Sequence, residues 1–296
     1  VSTLDEEEIE VFLGDQRLRI GVKLEDYLLI HLGARPCSQI TLPAELPSGG
    51  EMGKAIDERV YPRLLRLRSM RGDDRRRAIE GVKKTMRRAY KEVVEASEEY
   101  KAHMKWAERL GLRWMIHEVR PTVRELYLYR DGETGRRLRR LMKRRSRLRK
   151  RALKMPQALG IYFAYPEEME GEWVKEMGML LGYPMCCVER YSKERGGGID
   201  LELRARRQLE EAREVNPMAY YVSYFFPCSP SCSEAAARGW ECYRLLRELH
   251  PRLGELYRGR MEENIRLIRR LPSLVEGYRA EAERRLSRWL RRTRQL

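Results

Sequence analysis

The sequence predicts a mainly α-helical fold with a few short strands, an α+β arrangement in which a helical N-terminal scaffold precedes a helical domain built around cysteines. Three observations carry this. From Asp73 to Leu110, Ile79, Val82, Met86, Tyr90, Val93, Ser97, Tyr100, Met104, Ala107 and Leu110 recur at helical spacing, which gathers them on one helix face. Helical patterning returns after Glu234 and continues to the end of the chain. Strand-like patterning is confined to short runs such as Leu126–Tyr129.

Taken in order, Ile9–Val22 alternates apolar positions around Gly14-Asp15 and reads as a small hairpin. Leu24–Leu32 predicts a short helix stopped by Gly33, with Cys37 in the loop after Pro36, an ordinary thiol. Thr41–Gly53, with two prolines and Gly49-Gly50, reads as an irregular connector. Helix begins at Lys54, and Asp73–Leu110 predicts one long amphipathic helix closed by Gly111. His103 and His117, near its end, lack the spacing of a metal motif and read as structural. Asp131-Gly132 makes a turn into a basic helix, and Met155-Pro156 marks the boundary between domains 1–155 and 156–296. Beyond it come a buried strand (158–165), helices over Glu167–Leu181 and Leu201–Val215, and an aromatic extended run over Tyr220–Phe226. Three helices follow: Glu234–Leu249, Leu253–Leu271 and Val275–Arg294.

Charge is plentiful and uneven. Charged residues make up 36% of the 296 and the formal net charge is +16. Yet residues 1–60 carry twelve acids against six bases, a net of −6, so the remainder holds +22. Asn occurs only at Asn216 and Asn264, and high charge with few amides is a thermophile-like balance. No run approaches the length of a membrane span and the first residues are acidic, unlike a signal peptide, so a cytoplasmic protein without a membrane partner is expected.

The densest charge lies in Arg136–Lys154, where twelve of nineteen residues are basic and none is acidic. Leu138, Leu141, Met142, Leu148, Ala152 and Leu153 supply an apolar stripe. A helix pinned by that stripe presents a basic rail of Arg136, Arg137, Arg139, Arg140, Lys143, Arg144, Arg145, Arg147, Arg149, Lys150 and Arg151. Without acids at helical spacing these cations repel one another, and a phosphate backbone is their natural partner. RNA, tRNA or rRNA, is the expected one, since no helix-turn-helix or zinc-finger pattern accompanies the rail. A solvated face neutralised by the acidic N-terminus is the plainer alternative.

Four of the six cysteines fall in two short segments, Gly182-Tyr-Pro-Met-Cys-Cys-Val-Glu189 and Pro227-Cys-Ser-Pro-Ser-Cys-Ser-Glu234. Each opens a helix: Pro184 suits a first turn, and Ser231 with Glu234 forms a capping-box pattern. The free N–H groups and positive dipole end of a helix start stabilise thiolates. Cys186, Cys187, Cys228 and Cys232 are thus expected to form one site for zinc or an iron–sulfur cluster. Buried thiols or disulfides are the alternatives. Glu189 and Tyr191, one turn further on, are candidates to support the ligands.

The run Leu181–Tyr191, with Tyr224-Phe-Phe-Pro-Cys-Ser-Pro-Ser-Cys232 and Ala235-Ala-Ala-Arg-Gly239, resembles an uncharacterised archaeal family, domain of unknown function 483, over roughly residues 158–250. The cysteines also resemble, more distantly, the CCG iron–sulfur domains of heterodisulfide-reductase-type proteins. Val188 stands where that pattern has glycine, the later spacing is C-x3-C, and only Cys37 lies upstream of the pair.

No phosphate loop, dinucleotide fingerprint or nucleophile elbow is present. The expected function is therefore an RNA-associated protein with a four-cysteine metal or iron–sulfur site. Two contrasting readings stand beside it: a redox or sulfur-transfer enzyme using the Cys186/Cys187 and Cys228/Cys232 thiols, and a thermostable disulfide-bonded interaction module.

Overall fold

Asp5 starts the first helix, α1 (Glu6–Gly14), by accepting the Glu8 N–H at 2.8 Å, and three glutamates in the first turn suit the positive helix end. Ile9 and Phe12, three residues apart, are the buried face. The hairpin expected here is thus a helix. Gly14-Asp15 ends it rather than turning a hairpin, and Asp15 is held by Arg17 and by the Trp106 indole at 2.7 Å.

The structure, a computed structural model, describes residues 4–67, 69–152 and 165–292. The chain forms two units. The first comprises Val1–Arg147 with Leu180–Gly182 and Leu245–Leu253, and the second Leu148–Met179, Tyr183–Arg244 and Gly254–Leu296. The expected boundary at Met155-Pro156 lies outside the described residues, as does the expected strand at 158–165 apart from Tyr165.

In the first unit, a continuous helical run (α2) passes from Ile20–Val22 through a π-type turn, Lys23–Leu28, to Leu29–His31. It buries Leu24, Tyr27, Leu28, Leu29 and Ile30, and Gly33 at φ 77° lets the chain leave in the left-handed conformation that only glycine adopts cheaply. Cys37 opens a strand, β1 (Cys37–Leu42), where a loop was expected. Its buried thiol donates to the Ser38 carbonyl at 3.2 Å. Helices α3 (Gly49–Arg66) and α4 (Gly72–Tyr90) follow, and α4 passes into a π-type turn, Lys91–Glu95.

The long helix expected to reach Leu110 breaks at Ser97. That side chain caps a new helix, α5 (Glu98–Arg109), by accepting the Tyr100 N–H at 3.1 Å. Strands β2 (Arg113–Arg120) and β3 (Val123–Tyr129) complete an antiparallel sheet of order β1-β3-β2, with Leu126–Tyr129 of the central strand buried. His103 is structural: its Nδ1 meets the Tyr27 hydroxyl at 2.9 Å, and burial lowers its pKa to about 4. The basic helix is α6 (Gly132–Ala152).

The second unit is helical. It holds α7 (Gly171–Leu180), α8 (Met185–Gly196), α9 (Leu201–Glu211), and most of α10 (Ser233–Leu249) and α11 (Pro251–Arg292). Gly178 lets α7 approach α8: a Cβ there would lie 2.6 Å from Cγ2 of Val188. The aromatic run expected as extended begins in a 3-10 turn, Pro217–Tyr220, and continues through bends, with Tyr224 at φ 58°. The last two expected helices are one. Pro272 removes a single backbone donor, and α11 continues past it to Arg292. Arg294 lies outside the described residues. Mainly helical architecture with one small sheet is therefore what the chain forms. Among the described residues, no helix is long and apolar enough to cross a membrane.

Candidate metal centre

Two helix starts bring the four cysteines together. Pro184 is the residue before α8, so Cys186 and Cys187 fall at the second and third helical positions. The Pro184 carbonyl accepts N–H bonds from both Cys187 and Val188 at 3.0 Å, an irregular first turn. Adjacent helical residues normally diverge by about 100°. Here the Cys186 and Cys187 sulfurs stand 3.8 Å apart.

Cys232 is the residue before α10 and acts as its cap. Its carbonyl accepts the Ala236 N–H at 2.9 Å, and its sulfur accepts the Ala235 N–H. It lies one position earlier than the capping-box pattern predicted. Cys228 enters from the preceding bend, and its N–H donates to the Cys187 sulfur at 3.3 Å.

The Cys232 sulfur lies 3.7 Å from those of both Cys186 and Cys187, and the Cys228 sulfur lies 4.0 Å from that of Cys186. All four sulfurs are within 4.8 Å of one another and can hold a metal ion. These are non-bonded separations, far from the ~2.05 Å of a disulfide, and all six cysteines are free. Cys187 and Cys232 are buried, Cys228 is half-buried, and Cys186 faces solvent.

Burial pushes the Cys186 thiol up to about 11 and raises Cys187 as well. Burial also works against ionisation of Cys232. The Ala235 N–H and the other three thiols outweigh it by donating to that sulfur, and hold its pKa below the usual thiol value.

Several polar groups surround the cysteine segments. Glu189 is exposed on the surface of α8, and burial raises the Tyr191 phenol. Arg190 donates to the Cys228 carbonyl at 2.5 Å, and Gln208 of α9 donates to the same oxygen at 3.1 Å. Arg204 donates to the Pro227 carbonyl at 3.2 Å. Glu194 links the two arginines, accepting from Arg190 at 2.8 Å and pairing with Arg204 at 2.9 Å. Two helices thus grip the backbone on which Cys228 is mounted. Phe225 adds an apolar tie, its ring 4.8 Å from that of Tyr183, so the aromatics beside the cysteines join the two segments.

The eleven basic candidates divide along α6. Arg136, Arg139, Arg140, Lys143, Arg147, Lys150 and Arg151 are exposed at three- and four-residue spacing, and none of them forms an ion pair among the described residues. Arg137 and Arg144 are half-buried. Arg145 leaves the rail. It falls on the apolar face with Leu138, Leu141 and Met142, buried against Glu125 of β3. Arg149 is likewise turned to Glu167, which it meets at 2.6 Å. Lys154, part of the same sequence run, lies outside the described residues.

No solved structure matches this chain. A curated relative, the uncharacterized protein MJ1106 of Methanocaldococcus jannaschii, is 35% identical over 96 residues, 31% of this chain and 50% of that protein. The chain thus spans about half the length of the relative it matches. All four cysteines fall within residues 155–255, the stretch that matches the family described as "Protein of unknown function (DUF483)".

Proposed function

We propose that this chain is an RNA-associated protein whose four cysteines hold one tetrahedrally coordinated metal ion, zinc being the favoured ion. The observation that carries the metal reading is the sulfur spacing. Four ligands at the Zn–S distance of ~2.3 Å define a tetrahedron with edges of about 3.8 Å, and four sulfur pairs stand at 3.7, 3.7, 3.8 and 4.0 Å. In a four-iron cluster each cysteine binds a different iron, so the sulfurs stand further apart than four sharing one atom. A shared tetrahedral S4 site suits zinc, which has no redox role, and makes the centre a structural tie between the starts of α8 and α10.

The RNA reading rests on the exposed cations of α6. Arg136, Arg139, Arg140, Lys143 and Arg147 project along one face of the first unit and suit successive phosphates. tRNA and rRNA are the favoured partners. Elemental analysis and a visible spectrum of protein purified without oxygen test the metal. One zinc per chain, lost in Cys187→Ser and Cys232→Ser, is expected. Iron with sulfide would replace zinc by a cluster, and no metal would sink the site. Fluorescence anisotropy with tRNA at rising salt tests the partner, and no binding at low salt would sink that half.

One observation favours a redox or sulfur-transfer alternative: Cys186 faces solvent while its neighbour Cys187 is buried. Fast alkylation of Cys186 in the metal-loaded protein would support it. Protection by the metal would count against it.

A further inference from the structure

Trp240 stands on the outer face of α10 with 52% of its surface exposed. A single exposed aromatic needs no explanation; this one is braced. Its ring meets Tyr243 edge-on, with centroids 5.7 Å apart and planes at 86°. Tyr243 is fixed in turn by Arg258 of α11, whose guanidinium lies 5.2 Å from the ring centroid and donates to the hydroxyl at 2.9 Å. A tryptophan held by a tyrosine that an arginine holds loses little further freedom when a flat ligand settles on its open face.

The surroundings choose among ligands. Arg258 is exposed beside the aromatic pair, and Arg244 lies one turn beyond Trp240 on the same exposed face. The nearby acid Glu241 is occupied by Arg238 at 2.9 Å. A half-exposed indole with the Arg258 guanidinium beside its tyrosine neighbour suits a planar, electron-rich ring carried on an anionic backbone.

We infer that Trp240, Tyr243 and Arg258 form a stacking platform for an unpaired nucleobase of RNA. This rests on the RNA reading above and deepens it: the α6 cations suit any phosphate backbone, whereas an indole face takes a base only where that base is not already stacked in a duplex. Base and indole stack face to face, with the exposed Arg258 guanidinium beside them to meet a flanking phosphate.

The test uses the full chain as purified, with a labelled twelve-nucleotide single-stranded oligoadenylate and a twelve-base-pair RNA duplex as probes in anisotropy titrations. Trp240→Ala is expected to weaken the single strand by about 5-fold to 150-fold, the range of base–aromatic stacking. Duplex affinity is expected to stay unchanged, and Trp240→Phe to retain most of the single-strand affinity. Oligoadenylate should also quench indole fluorescence in the wild type more than in Trp240→Phe, a readout that needs no truncated variant to fold. Loss of both affinities alike, or of neither, with no difference in quenching, overturns the platform and leaves RNA binding through α6 standing. Failure of the wild type to bind either probe at low salt overturns both readings.

Discussion

Replacing Arg145 by alanine is expected to cost stability rather than RNA affinity, although it sits in the middle of the most basic stretch of the chain. Its side chain is 4% exposed and that of Glu125 is 6% exposed. The guanidinium reaches both carboxylate oxygens, one at 3.1 Å, and the Tyr127 hydroxyl donates to the same carboxylate at 2.5 Å. Truncation strands a buried carboxylate with one neutral donor, and breaking such a pair costs about 3–5 kcal/mol. The double change Arg145→Met/Glu125→Leu removes both charges and is expected to be near neutral, less about 1–3 kcal/mol for the bereft Tyr127 hydroxyl. Hydrogen exchange of the β3 amides reads this locally, avoiding a two-state assumption for a chain of two units. Opening should rise roughly one hundred- to a few thousand-fold in Arg145→Ala. Unchanged β3 protection together with weakened RNA binding would refute the assignment and return Arg145 to the rail.

Other consequences can be checked separately. Arg190→Ala and Gln208→Ala, which release the Cys228 carbonyl, are expected to weaken metal retention about 10-fold to 100-fold in a chelator competition; retention equal to wild type would mean that the cysteines need no such support. Lys143→Ala should leave stability within about 0.5 kcal/mol while reducing the salt slope of RNA binding by about 0.7–0.9 for its one phosphate. His103 is held neutral by burial, against the pull of Asp15, with its pKa lowered from 6.5 to about 4. As pH falls the unfolded chain takes up that proton first, so stability present above pH 6.5 should be lost between 6.5 and 4, by about 3 kcal/mol. Protection of the α5 amides from hydrogen exchange, followed across that range, should show a slope that His103→Gln flattens.

The cysteine site was legible because cysteine is scarce and each pair sits beside a helix-start signal, Pro184 in one segment and Ser231 with Glu234 in the other. Its supporting groups were less so. Arg190 follows Cys186 by four residues, one helical turn, and spacing alone could have found it. Arg204 and Gln208 come from another helix and touch backbone oxygens, which leave no mark in a sequence. The removal of Arg145 from the rail was readable in principle: it follows Leu138, Leu141 and Met142 at the spacing of the buried face. Its partner Glu125, twenty residues earlier on a strand, was not. α1 was misread because Gly14-Asp15 is a hairpin signal as well as a helix stop, while Asp5 followed by three glutamates was the stronger helix-start pattern.

The segment between α9 and α10, residues 212–232, contains one 3-10 turn and otherwise only turns, bends and coil. A loop of that length in a folded unit needs fixing from outside itself. Its first half is fixed by α11: buried Asn264 donates to the Tyr220 carbonyl at 3.0 Å and accepts from the Ser223 hydroxyl at 3.0 Å, while Tyr257 donates to the Tyr221 carbonyl at 2.6 Å. Its second half has Arg190, Arg204 and Gln208 on the carbonyls of residues 227 and 228, together with the cysteines. A metal at the sulfurs would thus anchor one end of a segment whose other end is already anchored. Its removal should expose amides around residues 226–232 to exchange while those of 218–222 stay protected. Loss of protection over the whole segment would instead make the metal the organiser of the entire loop, and the Asn264 network dependent on it.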